Sequence, residues 1–223
     1  MRWFPLSASE RVRDYFNRYA QRFDAIYEPH KSVSQRVGDS LFRRVVVERL
    51  NLIRNLAPSR GPWTVLDVGC GSGRYTVALA EIGAARVVGV DAAPEMIKLA
   101  RFRATDAGVD GRCEFHTAEF LEFAADEQFD VVVATGYFDY LDVPFRHLRK
   151  MLMMCQGKVF ASFPKRWEVR VPARKLRIAL GGGFVRFYSH REVMDLVAEA
   201  NLSRERLSLI DLGRDWIAVL RVA

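Results

Sequence analysis

A chain of 223 residues, half of them hydrophobic and 12% aromatic, has a composition suited to a large packed core, which excludes a disordered polymer. Its longest apolar runs, such as FDVVVAT and KVFASFP, fall well short of the roughly 20 residues that a membrane-crossing helix requires. The formal charge of +7 leaves nucleic acid, an acidic membrane surface and an anionic small substrate open as partners.

The first residues, MRWFPLSASERVRDYF, carry charges early and no continuous apolar run, so no signal peptide is expected. Residues 9–27 place Val12, Tyr15, Phe16, Tyr19, Phe23, Ile26 and Tyr27 at helical spacings, with Ser9 or Ser7 as the cap. A second helix is expected over 34–56, and APSRGP, with Pro58, Gly61 and Pro62, breaks it. From Trp63 the rhythm changes to short apolar strands alternating with helices. TVLDVG, ARVVGVD, RCEFHTA, FDVVVATG and KVFASFP read as strands; RYTVALAEIG, PEMIKLARFRATDAG and VPFRHLRKMLMM read as helices. That alternation predicts an α/β fold with a mostly parallel sheet covered on both faces. Beyond Pro164 come a basic segment with a helix expected over 171–180, the triplet Gly181-Gly182-Gly183, the helix SHREVMDLVAEANL, and an antiparallel C-terminal hairpin formed by RLSLID and DWIAVLRV. Cys70, Cys113 and Cys155 are odd in number and each sits in or beside an apolar run. They point to buried thiols in a reducing, cytoplasmic compartment, with no disulfide and no metal site.

The stretch VLDVGCGSGRYTVALA sets three glycines after a strand and before a helix, where backbone N–H groups and the helix N-terminus approach a ligand. A phosphate loop ends in Gly-Lys-Ser/Thr, but Gly73 is followed by Arg74-Tyr75. A dinucleotide loop is GxGxxG, whereas Gly69, Gly71 and Gly73 give GxGxG. A third kind of loop asks for an acid two places before the first glycine, and Asp67 stands there.

VLDVGCGSG resembles the first motif of the class I S-adenosylmethionine-dependent methyltransferases, and the likeness extends from about Trp63 to Pro164. It implies a Rossmann-like, seven-stranded sheet and S-adenosylmethionine as cofactor. Asp67 would serve the methionine ammonium, directly or through water, with Gly69, Cys70, Gly71 and Gly73 forming the loop. Asp91, ending the second strand, would bind the ribose hydroxyls, with Ala92 and Met96 near the adenosine. Ala118-Glu119 stands where family members commonly carry Gly-Asp for the adenine amine, so either the Glu119 carboxylate or the preceding backbone fills that role. Thr135, Gly136 and Tyr137 follow the fourth strand, where the family faces the sulfonium and the acceptor. The N-terminal segment, residues 1–60, would form a helical lid that brings Tyr15 or Tyr19 to the ligand, and residues 61–223 the methyltransferase domain. A basic insertion at about 165–187 would cap the acceptor.

Several acceptor classes leave marks that are missing here. ATGYFDY lacks the Asn/Asp-Pro-Pro-Tyr of amine-methylating enzymes, no cysteine lies between Cys113 and Cys155, and Asp139 with Asp142 read as loop acids and not as a metal site. What remains resembles the small-molecule branch, such as enzymes acting on quinone precursors and magnesium protoporphyrin. That branch often has a histidine where this chain has Tyr140, so a histidine base does not transfer. Tyr140 and Tyr137 are the candidates for binding the acceptor, with packing against the sheet edge as the alternative. His190 is a third candidate, as a base or as an exposed first-turn residue capped by Ser189. Between Lys165 and Arg191 eight basic residues, Lys165, Arg166, Arg170, Arg174, Lys175, Arg177, Arg186 and Arg191, face Glu168 alone. They suit a solvated helix face, an anionic small acceptor or, with Trp167, Phe184 and Phe187 interleaved, RNA. The expected activity is O-methylation of a small anionic or aromatic molecule. The alternatives are an RNA or protein methyltransferase, or a non-catalytic cofactor-binding subunit.

Overall fold

A computed structural model describes residues 8–25, 33–58, 62–166 and 185–222. Tyr27, Trp167, Phe184, the helix expected over 171–180 and most of the basic insertion fall outside the described residues, as does the side chain of Tyr19. Two helices, α1 (Ala8–Ala25) and α2 (Val33–Leu56), precede β1 (Thr64–Val68), α3 (Arg74–Glu81), β2 (Arg86–Asp91), α4 (Pro94–Asp106) and β3 (Cys113–Thr117). Then follow β4 (Phe129–Ala134), α5 (Pro144–Met153), β5 (Cys155–Pro164), α6 (His190–Glu199), β6 (Leu207–Asp211) and β7 (Asp215–Arg221). Among the described residues no helix is long and apolar enough to cross a membrane.

The strands form one sheet in the order β3-β2-β1-β4-β5-β7-β6. The first five pair in parallel, and β7 runs antiparallel to both β5 and β6. The hairpin therefore joins the sheet through its second strand, with β6 at the rim. Burial explains the choice: Ile217, Ala218, Val219 and Leu220 of β7 are all buried, as an interior strand requires, whereas β6 is only half-buried.

Alternation along each strand divides the core in two. Val65, Val87, Val131 and Val133 face α2, α3 and α4, while Leu66, Val88, Val132 and Ala134 face α5 and α6. Each such aliphatic side chain contributes about 1.5–3 kcal/mol on burial. Helix starts are marked locally. Pro94 opens α4, and Ser189 caps α6 in a reciprocal box with Glu192. Ser9, expected as a cap, lies inside α1, one residue past its start. Cys70 and Cys155 are buried, and Cys113 is half-buried at the head of β3.

From β1 the chain moves outward through β2 and β3, then returns to lay β4 on the other side of β1. The reversal opens a crevice at the carboxyl ends of β1 and β4, where open α/β sheets bind ligands. Helix α1 lies across that end. Ala20 packs with Ala93 and Met96 at the start of α4, and Phe16 meets Tyr140 edge-on at 5.0 Å.

Candidate active site

The three loop glycines share positive φ angles, +68° at Gly69, +53° at Gly71 and +76° at Gly73, which L side chains rarely adopt. Their surroundings differ. A Cβ on Gly69 would stand 2.4 Å from the Tyr137 ring, and one on Gly73 would stand 2.8 Å from Ala100 Cβ on α4. At Gly71, and at Gly136 after β4, a Cβ would meet nothing within 4 Å. The filled positions, Gly69 and Gly73, lock the loop to its neighbours. Gly69 and Cys70 N–H both donate to Val90 O, at 2.8 and 3.1 Å, which ties the loop to β2.

Asp67 is 1% exposed and lies under the loop, where Thr76 Oγ1 of α3 donates to its Oδ2 at 2.6 Å. Burial lifts its carboxyl to about 7, against the lowering effect of Thr76. Asp91, at the carboxyl end of β2, accepts from Gly71 N–H at 2.9 Å and from Ala93 N–H at 2.8 Å. These bonds hold the loop and the α4 entry to one carboxylate. Burial raises that carboxyl to about 6 although both bonds oppose the rise. Ala92 stands half-buried beside it and Met96 is buried beneath α1. Ala118 N–H donates to Asp91 O at 3.0 Å, and the neighbouring Glu119, half-buried, is close enough to Asp91 to raise its carboxyl further.

Tyr137 turns toward the same end. Its ring fills the space over Gly69, and its phenol lies 2.8 Å from Nδ1 of His147 on α5, with Phe120 6.3 Å from its ring. Burial lowers His147 to about 4 and holds the Tyr137 phenol well above its usual value. At neutral pH the imidazole is therefore uncharged and the phenol donates to it. Tyr137 thus neighbours the acids Asp91 and Glu119, and His147 fixes its orientation.

Tyr140 sits on the other side, in a 3-10 turn Phe138–Tyr140, under Phe16 of the covering helix. Asp139 lies in the same turn, a loop acid as expected, and is buried at 4% exposed. Thr135 is half-buried at the end of β4, and Gly136 N–H donates to Ser162 Oγ of β5 at 2.7 Å. His190 is exposed as the first residue of α6, its ring edge-on to Trp216 at 5.4 Å. Tyr15 meets Phe16 edge-on at 5.4 Å on the covering helix.

Further residues join the site that sequence reading passes over. Arg49 of α2 donates through Nη2 to Asp215 Oδ2 of β7 at 2.6 Å, both side chains nearly buried. Tyr75, on the first turn of α3, is buried next to them. Arg49 and Asp215 are 166 residues apart, so no local pattern marks them. His147 did carry a signal: it is a histidine on the apolar face of an amphipathic helix.

A seven-stranded sheet with one reversed strand beside the edge, a glycine loop after β1 and an acid at the end of β2 define a class I methyltransferase fold. Residues 65–156 match the family model described as "Methyltransferase domain". A ribosomal protein L11 methyltransferase from Edwardsiella ictaluri is 39% identical over 89 residues, covering 40% of this chain and 28% of that relative. A ubiquinone biosynthesis O-methyltransferase from Xanthomonas euvesicatoria pv. vesicatoria is 32% identical over 100 residues, covering 44% of this chain and 41% of the relative. The chain thus spans less than half the length of these curated relatives. The crystal structure of magnesium protoporphyrin IX methyltransferase from Synechocystis, with bound S-adenosylhomocysteine, superposes with a TM-score of 0.73 at 19% identity. That likeness covers 94% of this chain and 97% of the other, and it concerns the fold.

Proposed function

We propose that the chain binds S-adenosylmethionine and methylates an oxygen of a small, anionic or aromatic molecule. The carrying observation is the glycine loop after β1, held with the α4 entry to one carboxylate, Asp91, at the carboxyl end of β2 and covered by α1. The residues fit the cofactor. Asp91 presents a carboxylate to a pair of ribose hydroxyls. Glu119, beside it, suits an adenine amine, and Ala92, Met96 and the Tyr137 ring give the adenosine apolar walls. Asp67 lies too deep for direct contact, so its effect on the methionine ammonium runs through water or through the loop it anchors. When bound, the cofactor supplies an electrophilic methyl group on a sulfonium.

The chain's own part is positioning and water exclusion, which can account for much of the barrier lowering in such a transfer. Thr135 and Gly136 border the methyl end, Tyr140 and Phe16 wall the acceptor side, and residues 1–60 serve as lid to the domain 61–223. The missing amine-type motif favours oxygen. The relative named for ubiquinone biosynthesis is an O-methyltransferase, which agrees. A second reading, a protein or RNA acceptor held by the basic insertion at about 165–187, draws on the relative named for ribosomal protein L11.

Calorimetry with S-adenosylhomocysteine should give saturable binding, and Asp91→Ala should weaken it by about 10- to 100-fold, the value of one hydrogen bond to a charged group. Absence of binding by the unsubstituted chain refutes the cofactor assignment. A labelled-methyl screen over phenols, carboxylates, bulk RNA and ribosomal protein separates the two acceptor readings.

A further inference from the structure

A lysine on α5 holds the backbone beside Glu119. Lys150, in the last turn of that helix, donates through Nζ to Phe120 O at 2.7 Å, to Leu121 O at 2.9 Å and to Phe123 O. An ammonium has three N–H donors, and all three are spent on this one turn. The turn closes on Glu119 itself, whose carbonyl accepts from Glu122 N–H at 2.9 Å and from Phe123 N–H at 3.1 Å. One residue earlier, Ala118 N–H is tied to Asp91 O at the end of β2. Glu119 is thus fixed on one side by the sheet and on the other by a turn that α5 grips.

Electrostatics explains why such a grip is needed. Burial raises the Glu119 carboxyl against the pull of Arg13, and Glu122 and Glu10 add to the rise. Asp91 is raised by burial too, with Glu119 adding to it. A half-buried carboxylate among other acids gains by swinging out to water, so the backbone has to impose its inward position. Lys150 has no N–H left for the carboxylate and acts through the carbonyls alone. Its Nζ also lies 5.1 Å from the centroid of the Phe120 ring, which stacks at 6.2 Å on His147, the partner of Tyr137. Two residues one turn apart on α5 therefore hold the Glu119 turn and the Tyr137 ring. We propose that Lys150 is a positioning residue for the cofactor's base: it holds the turn 119–123 so that the Glu119 carboxylate meets the adenine amine, and it sets selectivity for adenine without touching the cofactor. The proposal rests on the cofactor reading above, in which Glu119 suits that amine.

The test titrates the full chain calorimetrically with S-adenosylhomocysteine and with S-inosylhomocysteine, in which an oxo group replaces the adenine amine. The unsubstituted chain should prefer the adenine form by about tenfold or more, the value of one hydrogen bond to a charged group. Lys150→Met keeps the apolar stem and removes all three donors, and should reduce that preference to below about threefold. Glu119→Ala should do the same, and the double variant should lose no more selectivity than either single one, because the two residues act in series. Lys150→Gln supplies the same readout where the methionine variant does not fold. A lysine kept only to steady the fold would weaken both ligands alike. An unchanged preference in the Lys150 variant, or losses of selectivity that add in the double variant, therefore overturns the proposal and leaves the cofactor reading standing. A chain that binds both ligands equally well overturns the Glu119 assignment and the proposal with it. A chain that binds neither refutes the cofactor reading itself.

Discussion

Replacing Gly73 by alanine isolates the close approach between the glycine loop and α4. The new Cβ would stand 2.8 Å from Ala100 Cβ and 3.0 Å from Ala100 Cα, and Ala100 is fully buried in a helix that cannot swing aside. Gly73 also holds φ at +76°, where an L side chain costs about 1–2 kcal/mol. Overpacking of a tight interior adds about 1–3 kcal/mol. The sum, about 2–5 kcal/mol, is a large share of the 5–15 kcal/mol typical of a domain. Gly71→Ala is the matched control, because its φ of +53° carries similar strain while its Cβ would meet nothing within 4 Å. Urea unfolding followed by tryptophan fluorescence should therefore rank Gly73→Ala as the less stable by at least about 1 kcal/mol. Calorimetry with S-adenosylhomocysteine should show Gly71→Ala losing affinity, since its methyl enters the crevice. Equal stabilities of the two variants would refute the reasoning about the loop–helix contact.

Two other perturbations follow from buried charge. Asp67, with its carboxyl raised to about 7 against about 3.9 in an unfolded chain, binds its proton more tightly when folded. Its contribution to stability is complete below pH about 4 and is lost as pH rises through about 7; Asp67→Asn should flatten that part of the urea midpoint–pH curve in the ligand-free chain. For the Arg49–Asp215 pair, Asp215→Ala should cost about 3–5 kcal/mol by leaving a buried guanidinium without its counter-charge. Arg49→Met combined with Asp215→Leu should recover most of that loss in the same unfolding measurement, and a double variant no better than the single one would speak against the charge explanation.

The parts of the molecule legible from sequence are those whose cause is local. Valine-rich β1, β2 and β4 announce a doubly covered parallel sheet, and the turn chemistry of Gly69, Gly71 and Gly73 reports itself within five residues. Asp91 was readable because it ends a strand at a fixed distance from that loop. Strand ends were less so: β5 begins at Cys155, three residues before the apolar run at Lys158, because pairing with Phe129 carries it across an irregularity beside Val131. The direction in which Tyr137 points, the burial of Asp139 and the Arg49–Asp215 contact depend on which helix lands on which strand. Side-chain identity at those positions is compatible with several outcomes, so only packing decides them.

The strand order β5-β7-β6 also sets a schedule for assembly. During synthesis β6 emerges before β7, yet it has no neighbour in the sheet until β7 pairs with β5. The same wait applies at the other end of the chain, because Arg49 of α2 acquires its buried counter-ion only when Asp215 arrives. The helix made near the start thus docks fully only after the strand made near the end, reversing the usual order in which emerging segments settle. A ribosome-bound chain stalled before residue 215 should hold a core of β1 to β5 in which Arg49 of α2 has not yet met Asp215.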